Sequence, residues 1–281
     1  MTPNYSTLEQ LQHRVLNKAV SLVMAPTETR EVWDQFTMTV HAVRELHPHL
    51  RRITFRAEEF ATLRQTGPDE YFGLLMPPPG SATVTMPSAD RINLRQAIHK
   101  LPADQQPELR WYTIRARRPA EREIDVDFVL HGDAGPGSRW ASAAEPGQVV
   151  GFRAGPATYR PPGAGTYLLV ADETALPALS AVLEAGVPPE TLVYVEIPTD
   201  EYRLPIETAV PVTWLVRGTD APGTAALAAV RAASLSGVDY AWLCGESALA
   251  TGLRRHLVKE RGVDRRRILF SGYWRLGQAR L

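Results

Sequence analysis

The sequence predicts a β-rich domain followed by an α/β domain. Three observations carry that prediction. At least six short β-prone runs, with no strong helix between most of them, occupy residues 36–160. From about residue 165 apolar strands alternate with helical stretches, the pattern of a parallel sheet with crossovers. Between the two lies a Pro/Gly-rich segment, Gly155 to Gly165. The chain has 281 residues and is 44% hydrophobic, enough for two modest cores, since a domain typically holds about 100–200 residues.

The elements follow in order. Residues 1–35 form an N-terminal helical segment: Ser6 or Thr7 can cap it, and Leu8, Leu11, Val15, Ala19 and Leu22 recur at helical spacing. Residues 36–160 read as a β-barrel or sandwich, with strands at Phe36 to Val43, Arg52 to Arg56, Tyr71 to Met76, Leu109 to Arg117, Glu123 to His131 and Gln148 to Phe152. Turn residues at Thr66-Gly-Pro-Asp and Pro77-Pro-Pro-Gly separate them. Residues 161–281 read as the α/β domain, with strands at Thr166 to Asp172, Thr191 to Ile197, Val212 to Val216 and Tyr240 to Cys244. Its helices are expected at Ala175 to Ala185, Thr224 to Ser234 and Ser247 to Arg261.

Charge and composition exclude several classes. The 31 Lys and Arg balance 31 Asp and Glu, so the surface as a whole is no phosphate-binding field and nucleic acid is not an expected partner. The single cysteine, Cys244, cannot close an internal disulfide and lies in an apolar run, where a buried inert thiol is expected. No apolar run reaches the ~18 residues needed to cross a bilayer, and the expectation is a soluble, cytoplasmic protein without membrane contact. A Walker loop, His-Glu-x-x-His, Gly-x-Ser-x-Gly and Cys-x-x-Cys are all absent. Gly163-Ala-Gly165 precedes its strand and reads as a linker turn. His47-Pro-His49 lacks further ligands nearby, so no metal site is expected.

Two segments carry chemistry. Arg110-Trp111-Tyr112-Thr113-Ile114-Arg115 combines aromatic faces, a hydroxyl and cations, the residue types that a flavin and its pyrophosphate require. Strand alternation sends Arg110 and Tyr112 to one face and Thr113 and Arg115 to the other. The same six residues also suit an aromatic-rich barrel strand with exposed arginines. Further on, a strand ends at His131, whose imidazole suits a hydrogen bond to the flavin or, more blandly, to a local carbonyl, and a loop through Gly132, Gly135 and Gly137 leads to Ser138, which is placed to cap a helix containing Arg139 and Trp140. A helix start approached by small residues suits a pyrophosphate; the bland alternative is a capped turn.

With these motifs the chain resembles the siderophore-interacting proteins, flavin-dependent ferric-siderophore reductases related to the ferredoxin reductases. The resemblance rests on Arg110-Trp-Tyr-Thr-Ile-Arg, Asp127-Phe-Val-Leu-His-Gly, Gly135-Pro-Gly-Ser-Arg-Trp-Ala, Asp172-Glu-Thr-Ala-Leu-Pro-Ala, Trp242-Leu-Cys-Gly-Glu246 and Gly272-Tyr-Trp-Arg-Leu-Gly277, in that order over residues 36–278. It implies an N-terminal FAD-binding β-barrel followed by a Rossmann-like NAD(P)H-binding α/β domain. The Arg110–Arg115 strand would hold flavin, with the Thr113 hydroxyl at its reactive edge, and the Gly135–Ser138 loop would hold the phosphates. Thr174 would lie near FAD. The terminal Tyr273-Trp274 pair suits a cover for the isoalloxazine or the nicotinamide pocket, with packing of the last strand or helix as the competing reading.

Two positions depart from the family pattern. Gly155-Pro-Ala-Thr-Tyr-Arg160 stands in place of a Gly-Pro-Arg-Gly-Ser-like loop, and Tyr71-Phe-Gly73-Leu in place of His-x-Lys-Leu, so an expected lysine is missing. Candidate cations for an acidic ferric chelate are Arg160, Arg203, Lys259 and Arg275. The implied activity moves electrons from NAD(P)H, with ferredoxin as another possible donor, through FAD to siderophore-bound Fe(III). Alternatives are a flavin or ferredoxin-type reductase with another acceptor, and a non-catalytic iron-chelate carrier. The sequence leaves open NADH against NADPH, and monomer against homodimer.

Overall fold

A computed structural model describes residues 22–28, 30, 32–89, 93–130, 135–235 and 237–277. The expected N-terminal helix, save its last position Leu22, lies outside these residues, as do His131 and Gly132. The described chain divides into two compact units, one spanning 28–157 and the other joining 22–27 to 158–277. No helix among the described residues is long and apolar enough to cross a membrane.

The first unit holds β1 (Gln35–His47), β2 (Leu50–Arg56), β3 (Tyr71–Met76), α1 (Leu94–Ile98), β4 (Glu108–Thr113), β5 (Ala116–Arg118), β6 (Glu123–Val129), α2 (Pro136–Ala143) and β7 (Val149–Ala154). Its seven strands pair antiparallel in the order β4-β3-β7-β1-β2-β6-β5. The two edge strands of that order, β4 and β5, are consecutive in the chain. The sheet therefore curls back on itself, and the seam is made by chain continuity. The single strand expected over Leu109 to Arg117 is divided at Ile114-Arg115. There the Ile114 N–H turns to the Glu70 carbonyl and the Arg115 N–H to the Asp125 carbonyl, so the chain leaves β3 and joins β6.

Period-two patterning fills the barrel. On β6, Ile124, Val126 and Phe128 enter the core with Ile53, Phe55, Phe72, Leu74 and Phe152. The alternating Glu123, Asp125 and Asp127 face the other way, yet all three are buried. Arginines cover them. Arg52 grips Asp127 through two bonds of 2.6 and 2.8 Å, Arg118 grips Asp125 at 2.7 and 2.8 Å, and Arg56 reaches Glu123 at 2.6 Å. α1 was not foreseen; at five residues, capped by Asn93, it is too short to display a helical period.

This ladder predicts acid sensitivity. Burial pushes the Asp125 carboxyl up, but the hydrogen bonds from Arg118 and Thr54 and the charges of Arg118 and Arg52 outweigh it, and the group sits below its ordinary 3.8. Glu123 is likewise lowered: burial raises it, and the bonds from Arg56 and Arg118 lower it further. A carboxylate depressed in the folded state contributes stability above its unfolded pKa and loses it as pH falls through the folded value. Denaturation midpoints are therefore expected to drop below about pH 4, and Arg118→Ala should flatten that drop. An identical acid slope in the variant would remove the ladder from the explanation.

The second unit contains β8 (Tyr167–Asp172), α3 (Leu176–Glu184), β9 (Leu192–Ile197), β10 (Val212–Val216), α4 (Thr224–Ala232), β11 (Tyr240–Glu246), α5 (Ser247–Lys259) and β12 (Ile268–Trp274). All five strands run parallel in the order β10-β9-β8-β11-β12. Leu169, Ala171, Val195 and Trp242 pack with α3 on one face; Leu168, Val170, Ala241 and Leu243 pack with α4 and α5 on the other. Cys244 is buried and forms no disulfide. β12 was missed as a strand because Ser271 and Gly272 interrupt its apolar run. From β8 the chain builds outward to β10, then crosses back to β11, so the topological switch lies between the C-terminal ends of β8 and β11. Such crevices are where open α/β sheets bind ligands.

Candidate functional site

In the first unit, β4 and the start of α2 form a cradle. Arg110 and Tyr112 project from the same face of β4, and Gly137 lies against both. A Cβ at Gly137 would come within 2.0 Å of the Tyr112 hydroxyl and 3.4 Å of Arg110 Cγ, so only glycine permits this approach. The Tyr112 ring rests on Phe128, with centroids 4.3 Å apart, and burial pushes its phenol above the ordinary value while the Arg110 charge opposes the shift. α2 starts without a side-chain cap. Gly135 takes the N-cap position that was expected of Ser138, and Ser138 sits inside the first turn. Its hydroxyl is buried with no hydrogen-bond partner. An orphaned buried donor in the first turn of a helix whose Gly137 lies against the Arg110 side chain has the chemistry to meet a phosphate oxygen.

Other expected cofactor residues point elsewhere. Trp111 lies on the opposite face of β4 from Arg110, against the satellite cluster of Leu75, Leu94, Ile98 and Leu109, with Tyr71 edge-on at 5.3 Å. Gly73 opposes Trp111 across the ladder, so the position of the missing family lysine is occupied by backbone under an indole. Thr113 is buried on the Trp111 face. Arg115 lies 3.7 Å from Asp127, within the acidic ladder. Trp140 stacks on Phe55, with rings 12° from parallel, and braces the barrel core, while Arg139 is exposed.

In the second unit the switch point is organised around Asp172, which is fully buried. One carboxylate oxygen accepts the Thr174 N–H at 2.9 Å and the Thr174 hydroxyl at 2.6 Å. The other accepts the Glu246 N–H at 2.6 Å and the Trp274 indole N–H at 2.8 Å. Thr174 and Trp274, two expected site residues, thus share one anchor. Gly245 has φ +139°, and a Cβ there would lie 2.6 Å from the Asp172 carboxyl carbon. Burial and the neighbouring Glu173 charge push Asp172 up to about 6, against the bonds from Thr174, Trp274 and Glu246. Ser247 donates to the Trp274 carbonyl at 2.8 Å, and Tyr273 packs at the edge of the α3-side core.

A second network crosses the same edge. Arg217 makes two 2.7 Å bonds to Glu173 and lies 3.7 Å from Glu196. Glu196 in turn accepts the Gly223 N–H at 2.5 Å and the Ala226 N–H at 2.9 Å, which caps α4. Sequence reasoning missed Asp172, Glu173, Glu196, Glu246 and Arg217 as site residues. A usable signal existed, because acids ending apolar strands mark C-terminal sheet edges.

The four candidate cations do not form one patch. Arg203 follows β9, where it pairs with Asp200 at 2.6 Å, and the exposed Arg275 follows β12; both lie toward the switch-point edge. Arg160 and Lys259 belong to the opposite edge. The Arg160 backbone bonds to Tyr240 at the start of β11, and the side chain lines a cleft of about 650 Å³ with Arg266, Arg267 and Asp239. Lys259 ends α5, which runs back from the switch point.

An antiparallel barrel followed by a parallel α/β unit with a switch-point crevice is the fold of ferredoxin reductases, such as the one of carbazole 1,9a-dioxygenase, with a TM-score of 0.62 at 18% identity over 88% of this chain and 71% of that one. Residues 39–159 match the siderophore-interacting FAD-binding domain, and residues 164–277 match the siderophore-interacting protein model. The chain belongs to the siderophore-interacting protein family. It is similar to the siderophore-interacting protein SipS of Aeromonas hydrophila, with 31% identity and a TM-score of 0.72 over 87% of this chain and 92% of that one. A siderophore utilization protein of T. fusca is 30% identical, with a TM-score of 0.77 over 91% of this chain and 97% of the other. Ferric vibriobactin reductase ViuB of Vibrio cholerae is 27% identical over 82% of this chain and 85% of its own length.

Proposed function

We propose that this chain is a FAD-dependent ferric-siderophore reductase that takes electrons from NAD(P)H and releases Fe(II) in the cytoplasm. The observation that carries the reading is the cradle of Arg110, Tyr112 and Gly137 beside the orphaned Ser138 hydroxyl. Arg110 and the Ser138 hydroxyl donate to the FAD pyrophosphate, Gly137 lets the helix start approach, and Tyr112 supports the ring system. In the second unit Asp172 orients Thr174 and Trp274 at the crevice that receives the nicotinamide donor. Bound FAD supplies conversion of a two-electron hydride into the single electrons that iron accepts. Fe(III) is held in a siderophore by hard oxygen ligands, and reduction to the softer ferrous ion loosens them. The name of ViuB supports the acceptor assignment.

The test is the visible spectrum of the protein, followed anaerobically after adding NADH or NADPH and then a ferric siderophore. Flavin bands are expected to bleach with the nucleotide and return as Fe(II) forms. No flavin bands after incubation with FAD would overturn the reading in favour of a carrier. Equal reoxidation rates with ferric siderophore, free flavin and simple ferric chelates would instead assign another acceptor.

A further inference from the structure

Resting on the reading of the second unit as the nicotinamide-binding half, we propose that it takes NADH in preference to NADPH, with Glu173 as the residue that decides. A dinucleotide fold reads the adenosine ribose beyond the end of its second strand. There an acid suits a free 2′-hydroxyl, and an available arginine suits a 2′-phosphate. In this unit the second strand is β9, and it ends with Glu196 and Ile197. Glu196 is fully buried and spends both oxygens on the α4 N-terminus.

Two arginines follow β9 and β10, and each is held by a carboxylate. Arg217, whose side chain is 9% exposed, is gripped at two points by Glu173, with Glu196 3.7 Å away. Arg203, farther out, is paired with Asp200 at 2.6 Å, and Glu201 adds another negative charge beside it. A 2′-phosphate therefore meets a surface whose nearest guanidiniums are neutralised and whose surplus is anionic. To gain Arg217 it must displace Glu173 from a buried bidentate pair, leaving that carboxylate uncompensated. NADH carries no such group and needs no rearrangement.

Calorimetric titration of the FAD-loaded protein with NAD+ and with NADP+ reads this without turnover, and flavin bleaching by NADH and NADPH reads it with turnover. NAD+ is expected to bind at least about tenfold more tightly, as like-charge contact at an interface predicts. Glu173→Gln should narrow the ratio by strengthening NADP+, since Arg217 is released. Equal or tighter NADP+ binding by the wild-type protein overturns the proposal while leaving the reductase reading intact. Binding and bleaching by neither nucleotide overturns both the preference and the nicotinamide donor. The wild-type titrations decide the matter even where Glu173→Gln fails to fold.

Discussion

Asp172→Ala is expected to destabilise the second unit by about 3–5 kcal/mol, the largest effect of any single substitution at the site. Four donors converge on this carboxylate: the Thr174 N–H and hydroxyl, the Glu246 N–H and the Trp274 indole. Each buried donor left unpaired costs about 1–3 kcal/mol, and water can rescue only those near the crevice. That loss is a large share of a total stability of about 5–15 kcal/mol. Trp274→Phe removes one of the four bonds and should cost about 1 kcal/mol. Chemical denaturation checks both. A loss below about 1 kcal/mol for Asp172→Ala would mean the four bonds do not act together.

The pH dependence of Asp172 opposes that of the barrel ladder. Its folded value is raised from 3.8 to about 6, by burial first and by Glu173 second. A group raised in the folded state contributes stability fully below its unfolded pKa and loses it as pH rises through the folded one. Between about pH 4 and 6 the second unit is thus expected to lose stability with rising pH, a step that Asp172→Ala abolishes.

Arg110→Ala is expected to weaken FAD retention by about 10–150-fold with little loss of fold. A charge-assisted hydrogen bond to a phosphate contributes about 1.5–3 kcal/mol. In the structure the Arg110 guanidinium donates to the adjacent Leu109 carbonyl at 2.6 Å, a local bond to its chain neighbour that ties no distant elements together. Flavin released on dilution and gel filtration, with an unchanged denaturation midpoint, is the expected result. Flavin occupancy equal to wild type would remove Arg110 from the site.

Much of the fold was legible because its signals are local. Alternation along Glu123 to Val129 assigns Ile124, Val126 and Phe128 to one face and three acids to the other, whatever lies across the sheet. The change from short β runs to strands alternating with helices announces the second unit. Arg110 and Tyr112 share a face for the same period-two reason, and the structure places Gly137 against both. The residues misjudged were those whose surroundings come from elsewhere. Trp140 looked like a cofactor aromatic beside a glycine loop, but Phe55, from a distant strand, claims its ring. Ser138 looked like a cap, and the chain's entry angle gave that position to Gly135.

By itself the sequence determined the order of the two units, the faces of their strands and the family to which the motifs point. These follow from periodicity and short-range spacing, which need no partner to be read. Only the tertiary structure decided that the β4–β5 strand bends at Ile114-Arg115 to close the sheet. It alone joined Asp172 to Trp274 across 102 positions and Glu173 to Arg217 across 44. The physical reason is that strand order and register bring those side chains to one sheet edge. A carboxylate acquires its partner, its burial and its shifted pKa only there.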